Sequence, residues 1–231
     1  MAGKQEEQKE EVVEPQGNMV DYKSVDETYM VQMTVDKSRF IAVIRHVESV
    51  DDVKTLLGSL KKSNRDAKHI PYAYRLGADY SVAKHNDDGE PAGSAGLPIF
   101  SAIENAKLSN TAIAVVRYFG GKELGKSKLT RTYAGVANAV VKYAKIFIMK
   151  FCNIYDMKVS YADFAQLGKL LTEKGYSILD QNINDTMPLI KVAIPVDVAD
   201  KEIEEIRARI RGASFITNIG NGYYRFKSYS K

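Results

Sequence analysis

The 231-residue sequence has little of what secreted, membrane and metal-binding proteins use: one cysteine, three histidines and no tryptophan. The single cysteine, Cys152, allows no internal disulfide and fits a reducing compartment. The few Cys and His residues lack the spacing of a zinc site. No apolar run approaches the ~20 residues of a membrane helix, and the first residues lack a signal core. These absences predict a cytoplasmic protein without a membrane partner.

Charge is distributed unevenly along the chain. The net charge is +4, yet residues 1–14 carry two lysines against five glutamates. Residues 117–131 carry five cations against one carboxylate. A concentrated positive patch favours an anionic partner such as phosphate, a nucleotide or RNA. Because glycines interrupt this basic run, we favour a binding loop over a merely solvated surface.

Hydrophobic periodicity predicts an α+β protein with two domains after a flexible acidic tail at residues 1–20. The first domain, residues 21–147, should contain paired strands at Thr28–Val35 and Phe40–Val47, a helix capped by Asp51 or Asp52, and a strand at His69–Gly77. Residues 148–231 should form the second domain. Its predicted order, β-α-β-β-α-β, is that of the ferredoxin-like split motif.

Residues 120–127 match the P-loop pattern G-x-x-x-x-G-K-[ST] between a predicted strand, Ala112–Phe119, and a predicted helix. An NTPase also needs a strand-terminal aspartate for Mg²⁺ and a parallel sheet. Asp197 follows Pro195, which argues against a central parallel strand, and at least two strands precede the first helix. We therefore interpret the segment as an anion-binding loop without ATPase function.

The basic loop supplies the predicted nucleic-acid and anion contacts. Its glycines would expose backbone N–H groups to an oxyanion, together with the start of the following helix. Tyr118 and Phe119 are candidates for stacking on RNA bases, although side chains at a strand end also pack into cores. The predicted contact residues are Arg117, Gly120, Gly121, Lys122, Gly125, Lys126, Lys128 and Arg131.

An acidic loop offers a second kind of chemistry. Asp87, Asp88 and Glu90 could bind Mg²⁺ through oxygen ligands, with His69 as a general base. The alternative function is thus a phosphate- or nucleotide-dependent enzyme in which Asp88, Glu90 and His69 are catalytic. Asp-Gly is also a turn signal, and Glu90 could pair with Arg75 or Arg117. We favour this structural interpretation, which requires neither catalytic residues nor a cofactor.

Four ordered motifs resemble the YigZ/IMPACT family over about residues 23–228. They read K-S-R-F-I-A at 37–42, H-I-P-Y-A-Y-R at 69–75, D-D-G-E-P-A-G-S-A-G at 87–96 and R-Y-F-G-G-K-E-L-G at 117–125. Two departures matter. Pro71 replaces the usual cysteine of the second motif, so no catalytic thiol is present there. Ser127 and Lys128 replace a second pair of glycines, and Ser127 after Lys126 completes the P-loop match.

The resemblance implies a fold and a cellular context. The first domain should resemble domain IV of elongation factor G, a left-handed βαβ fold shared with the second domain of a ribosomal protein. The ferredoxin-like domain should resemble domain V of that factor. Bacterial members have no settled activity, and eukaryotic relatives regulate translation. We therefore expect a non-catalytic protein that binds RNA or the ribosome and regulates translation.

Overall fold

The computed structural model describes residues 20–183, 187–210 and 215–227, so the predicted acidic tail lies almost wholly outside the described residues. The strands are β1 (Tyr22–Val25), β2 (Tyr29–Val35), β3 (Ser38–His46), β4 (Tyr72–Leu76), β5 (Val82–Asn86), β6 (Thr111–Tyr118), β7 (Ile146–Lys158), β8 (Ser177–Asn182), β9 (Leu189–Pro195) and β10 (Phe215–Lys227). The helices are α1 (Val50–Ser63), α2 (Gly96–Asn105), α3 (Lys126–Tyr143), α4 (Tyr161–Glu173) and α5 (Ala199–Arg209). Within the described ranges, none of the helices combines the length and apolar character that crossing a membrane requires.

The first sheet has the order β2-β3-β6-β4-β5, and each neighbouring pair is antiparallel. Side chains alternate between its two faces, as strand geometry dictates. Phe40 and Ile44 face a core shared with α2 and α3, whereas Val43 packs toward α1. The central strand β6 is therefore buried on both faces. Its antiparallel pairing removes the parallel-sheet context that a P-loop NTPase needs.

The second sheet is built around the 13-residue strand β7. On one side β7 pairs with β10; on the other it pairs with β1 and then with β9, which in turn pairs with β8. Helices α4 and α5 bury Leu167, Leu171 and Ile206 against this sheet. Cys152 on β7 is fully buried, and burial raises the pKa of its thiol to about 12, which supports its interpretation as a core residue.

The α+β architecture with two domains and the element order predicted for the C-terminal half are confirmed. The domain boundary between residues 147 and 148 stays a prediction. Strand β7 runs across that position, and its residues Ile146–Met149 hydrogen-bond to β1.

Two details of the sequence interpretation were wrong. Helix α1 is capped by Ser49, whose hydroxyl accepts from the Asp52 N–H while the Asp52 carboxylate accepts from the Ser49 N–H. This reciprocal capping box places Asp52 in the first turn of the helix, where the positive end of the helix dipole stabilises its carboxylate. The strand expected at His69–Gly77 begins at Tyr72, because His69 makes only an isolated bridge to Arg117 before Pro71.

Gly120 brings the basic loop against the turn between β2 and β3. A Cβ at this position would overlap the backbone atoms of Lys37 and Ser38. Its N–H donates to the buried hydroxyl of Ser38 at 3.1 Å. Because the Gly120 N–H is engaged by Ser38, it is not available to donate to an anion. The glycine is needed here for the close approach of two backbones.

We expect Gly120→Ala to destabilise the protein by about 1–3 kcal/mol, because the added methyl group must displace backbone atoms. Urea unfolding measures the change. The matched control is Gly135→Ala in α3, where nothing lies within 4 Å of the added Cβ. That substitution should stabilise the helix by about 0.5–1 kcal/mol. Equal effects of the two substitutions would contradict the proposed packing role.

Candidate functional site

The acidic loop and the basic loop meet in one cleft with a volume of about 240 Å³. The two motifs are about 30 residues apart in sequence, but β6 and the start of α3 bring them together. The lining residues are Gly89, Glu90 and Pro91 from the acidic loop, Glu123, Leu124, Gly125 and Lys126 from the basic loop, and Lys68, His69, Arg117, Phe119 and Leu129 around them.

A buried ion pair joins the two loops. Arg117 Nη1 donates to Glu90 Oε1 at 2.5 Å, and the Tyr133 hydroxyl donates to the same oxygen at 2.7 Å. The Arg117 and Glu90 side chains are only 6% and 2% exposed. Burial raises the pKa of Tyr133, and the Glu90 charge adds to this effect. The Tyr133 hydroxyl therefore stays protonated and donates to the Glu90 carboxylate.

The burial of Arg117 limits its predicted role as an anion contact. One end of its guanidinium is occupied by Glu90, which was one of the two pairings that the sequence suggested. Its Nε–H has no acceptor among the described residues. Arg117 also lines the cleft, so its guanidinium stays a predicted contact for a ligand there.

Asp87 anchors the acidic loop to helix α2. Its two carboxylate oxygens accept N–H bonds from Gly93, Ala95 and Gly96 at 2.8–2.9 Å. Burial opposes the charge, but these backbone donors outweigh it and hold the pKa of Asp87 below its usual value. The carboxylate thus acts as a cap supplied from outside the helix, where the positive end of the dipole favours an anion.

Asp88 fixes the orientation of His69. The Asp88 carboxylate accepts from the Ile70 N–H, and its main-chain carbonyl lies 2.7 Å from His69 Nδ1. A carbonyl oxygen can only accept, so Nδ1 carries the hydrogen, and Nε2 of the neutral ring has a free lone pair. His69 therefore presents an acceptor in a fixed tautomer at the wall of the cleft.

Each of the three acidic-loop carboxylates has a different partner. Asp87 caps helix α2, Asp88 accepts from the Ile70 N–H, and Glu90 pairs with the buried Arg117. Over the described parts of the chain, no group of three or more His, Cys, Asp or Glu side chains is arranged to hold a metal ion. The Mg²⁺ site at Asp87, Asp88 and Glu90 and the catalytic roles of Asp88, Glu90 and His69 stay predictions. The observed contacts favour the structural interpretation of these carboxylates.

The predicted cations occupy different environments. Lys122, Lys126 and Arg131 are exposed, and Lys126 also lines the cleft. Lys128 Nζ lies 2.7 Å from Asp36 Oδ2, and this bond lowers the pKa of Asp36. Lys128 is therefore partly neutralised, whereas the other three are available to an anion.

Lys68 is a cleft residue that the sequence interpretation missed. Its N–H donates to the Arg117 carbonyl at 3.0 Å, so strand β6 brings it beside the basic loop. Its Nζ lies 4.9 Å from the centre of the Phe119 ring. Phe119 is 42% exposed and is not a core residue. Only its position directly before His69 in the second motif hinted at a role for Lys68.

Gly121 and Gly125, the other two glycines of the basic loop, lie at or just before the start of α3, which has no side-chain cap among the described residues. Gly125 is the N-cap residue with φ +72°, and none of the described side chains caps the helix there. The first turn carries lysines and no acidic residue, so the positive end of the helix dipole is not compensated within the helix. Gly121 is exposed, with φ +84°. A negatively charged ligand in the cleft would be stabilised by this helix terminus.

We expect Glu90→Gln to destabilise the protein by about 3–5 kcal/mol, because it leaves the Arg117 charge buried without a counter-charge. Urea unfolding at neutral pH measures the loss. Asp36→Asn is the matched control, since it removes an exposed pair and should cost at most about 1 kcal/mol. A Glu90→Gln protein no less stable than Asp36→Asn would show that the pair does not hold the loops.

Comparison with known proteins supports the motif resemblance. The Impact N-terminal domain model matches residues 36–141. The IMPACT family member YvyE of Bacillus subtilis is 33% identical over 152 residues, which cover 66% of this chain and 69% of that protein. The IMPACT family member YigZ of Escherichia coli is 29% identical over 163 residues, covering 70% and 79% of the two chains.

A solved structure extends the similarity to the fold. The crystal structure of a hypothetical protein aligns over 92% of this chain and all of that chain, with a TM-score of 0.57 and 23% identity. The four motifs, the matched domain and the similarity to YvyE lead to one conclusion. The chain belongs to the IMPACT family.

Proposed function

We propose that this protein is a non-catalytic RNA- or ribosome-binding protein that regulates translation, and that RNA binds at the cleft between the acidic and basic loops. The observation that carries this proposal is the convergence of both family motifs on one cleft with exposed cations at its rim. Neither loop alone would form such a surface.

The composition of the surface fits single-stranded RNA. Lys68, Lys122, Lys126 and Arg131 are exposed and can contact phosphates. The exposed ring of Phe119 lies among the lining residues and offers a stacking surface for a base. Proteins that bind single strands combine a basic groove with exposed aromatic rings in this way. Hydrogen bonds hold the Asp87 and Glu90 carboxylates within the acidic loop, whereas the exposed Glu123 carboxylate lines the cleft beside Lys126.

The fold is compatible with a ribosomal context. We propose that the first domain corresponds to domain IV of elongation factor G and the second to its ferredoxin-like domain V. The strand order β10-β7-β9-β8 with α4 and α5 on one face supports the ferredoxin-like assignment. A cytoplasmic location, suggested by the single cysteine, accords with this role. The proposed binding needs no cofactor.

The enzyme alternative uses the same cleft but has weaker support. It requires Glu90, whose side chain is 2% exposed, to leave its pair with Arg117 before it binds Mg²⁺. Breaking the buried Glu90 pair would leave Arg117 without a counter-charge, at a cost of several kcal/mol. For this reason we propose binding as the function.

We expect Lys126→Glu to weaken binding of a mixed-sequence single-stranded RNA, measured by fluorescence anisotropy at several salt concentrations. Four phosphate contacts predict a slope of log K against log salt of roughly −3, and the substitution should reduce its magnitude by about 1. The control is Lys142→Glu, an exposed lysine at the far end of α3, which should leave the slope unchanged.

Two results would contradict the proposal. A slope near zero in the unsubstituted protein would mean that phosphates are not bound. Saturable, Mg²⁺-dependent nucleotide binding in calorimetry, abolished by Asp88→Asn, would instead support the enzyme alternative.

A further inference from the structure

We infer that the cleft holds one ribose–phosphate unit of single-stranded RNA and that His69 Nε2 accepts a hydrogen bond from the ribose 2′-hydroxyl. The protein would then distinguish RNA from DNA. This inference rests on the proposed RNA binding and names the chemical group that the same site recognises.

The position of His69 gives the cleft a fixed acceptor. Because Nδ1 donates to the Asp88 carbonyl, Nε2 is the acceptor of the neutral ring. Among the described residues Nε2 has no hydrogen-bond partner. Gly89 packs on the ring, since a Cβ there would lie 3.1 Å from His69 Nδ1. The imidazole is therefore held in one tautomer and one orientation before any ligand binds.

Around the cleft, several donors surround this acceptor, and the exposed Glu123 carboxylate also lines it. Lys68 and Lys126 carry positive charges, Arg117 has an Nε–H without an acceptor among the described residues, and the N-terminus of α3 begins at the cleft. A phosphate alone would be served by these donors and would gain nothing from a neutral acceptor. A ligand that uses both the donors and the His69 acceptor carries a phosphate and, close to it, a hydroxyl.

The 2′-hydroxyl of RNA is such a group. It can donate to an imidazole lone pair, it lies on the sugar between successive phosphates, and DNA lacks it. The cleft volume of about 240 Å³ is below the ~300–1,000 Å³ typical of pockets that enclose a whole small molecule. This size fits a single sugar–phosphate unit whose base remains outside, next to the exposed Phe119 ring.

The experiment uses three single-stranded oligonucleotides of one sequence: RNA, DNA and 2′-fluoro RNA. The fluoro analogue keeps an RNA-like sugar but has no hydroxyl hydrogen to donate. We expect the full-length protein to bind RNA about three- to tenfold more tightly than either analogue, as the loss of one hydrogen bond predicts. In His69→Phe, RNA and 2′-fluoro RNA should bind with equal affinity, because the acceptor of the 2′-hydroxyl is gone.

The outcomes separate this inference from the proposed function. Equal affinity for RNA and 2′-fluoro RNA overturns the inference and leaves RNA binding intact. Retention of the full RNA preference in His69→Phe overturns the assignment to His69. Failure to bind all three oligonucleotides overturns both proposals. The comparison of oligonucleotides on the unsubstituted protein does not depend on whether His69→Phe folds, and circular dichroism checks the fold of the variant.

Discussion

The buried ion pair between Arg117 and Glu90 is the constraint on which the cleft depends. It joins the end of the central strand β6 to the acidic loop. Tyr133 of α3 also donates a hydrogen bond to the same Glu90 oxygen, so the helix is tied to the pair as well. Burying two charges costs free energy that their attraction only partly recovers, so such a pair gives little net stability over apolar residues. We infer that its value here is positional. The partners of Glu90, Arg117 and Tyr133, hold the acidic loop where it lines the cleft together with the basic loop.

Around this pair, each wall of the cleft has its own backbone support. Asp87 binds three N–H groups at the start of α2, and Asp88 holds both Ile70 and His69. Gly120 fixes the basic loop against the β2–β3 turn. Because these contacts are satisfied within the protein, little ordering is required when a ligand binds. The groups left over, chiefly lysines, an aromatic ring and one imidazole nitrogen, are the ones that a nucleic acid would use.

Local signals in the sequence predicted much of this fold. The alternation in β2 and β3 is a periodic pattern, and the predicted β-α-β-β-α-β order is the order observed from β7 to β10. Strand β5 gave no such signal, because all five of its residues are exposed at a sheet edge. The four-residue strand β1 is too short for periodicity, and its pairing with the distant β7 depends on tertiary structure.

The site was less predictable than the fold, for a physical reason. The composition of each loop revealed its candidate charges, but which charges face solvent is decided by packing between loops. Arg117 and Lys126 look alike in the sequence, yet one is buried against Glu90 and the other lies at the rim. Lys68 enters the site only through its main-chain bond to Arg117. The meeting of the two motifs follows from the pairing of distant segments, which no local pattern contains.

The central claim is that RNA contacts the cleft between the two loops. An NMR titration of the ¹⁵N-labelled protein with single-stranded RNA tests it most directly. If RNA binds there, the largest amide shifts should occur at Gly89, Gly121, Gly125 and Lys126. Shifts confined to the strands of the second sheet, with the amides of both loops unmoved, would contradict it.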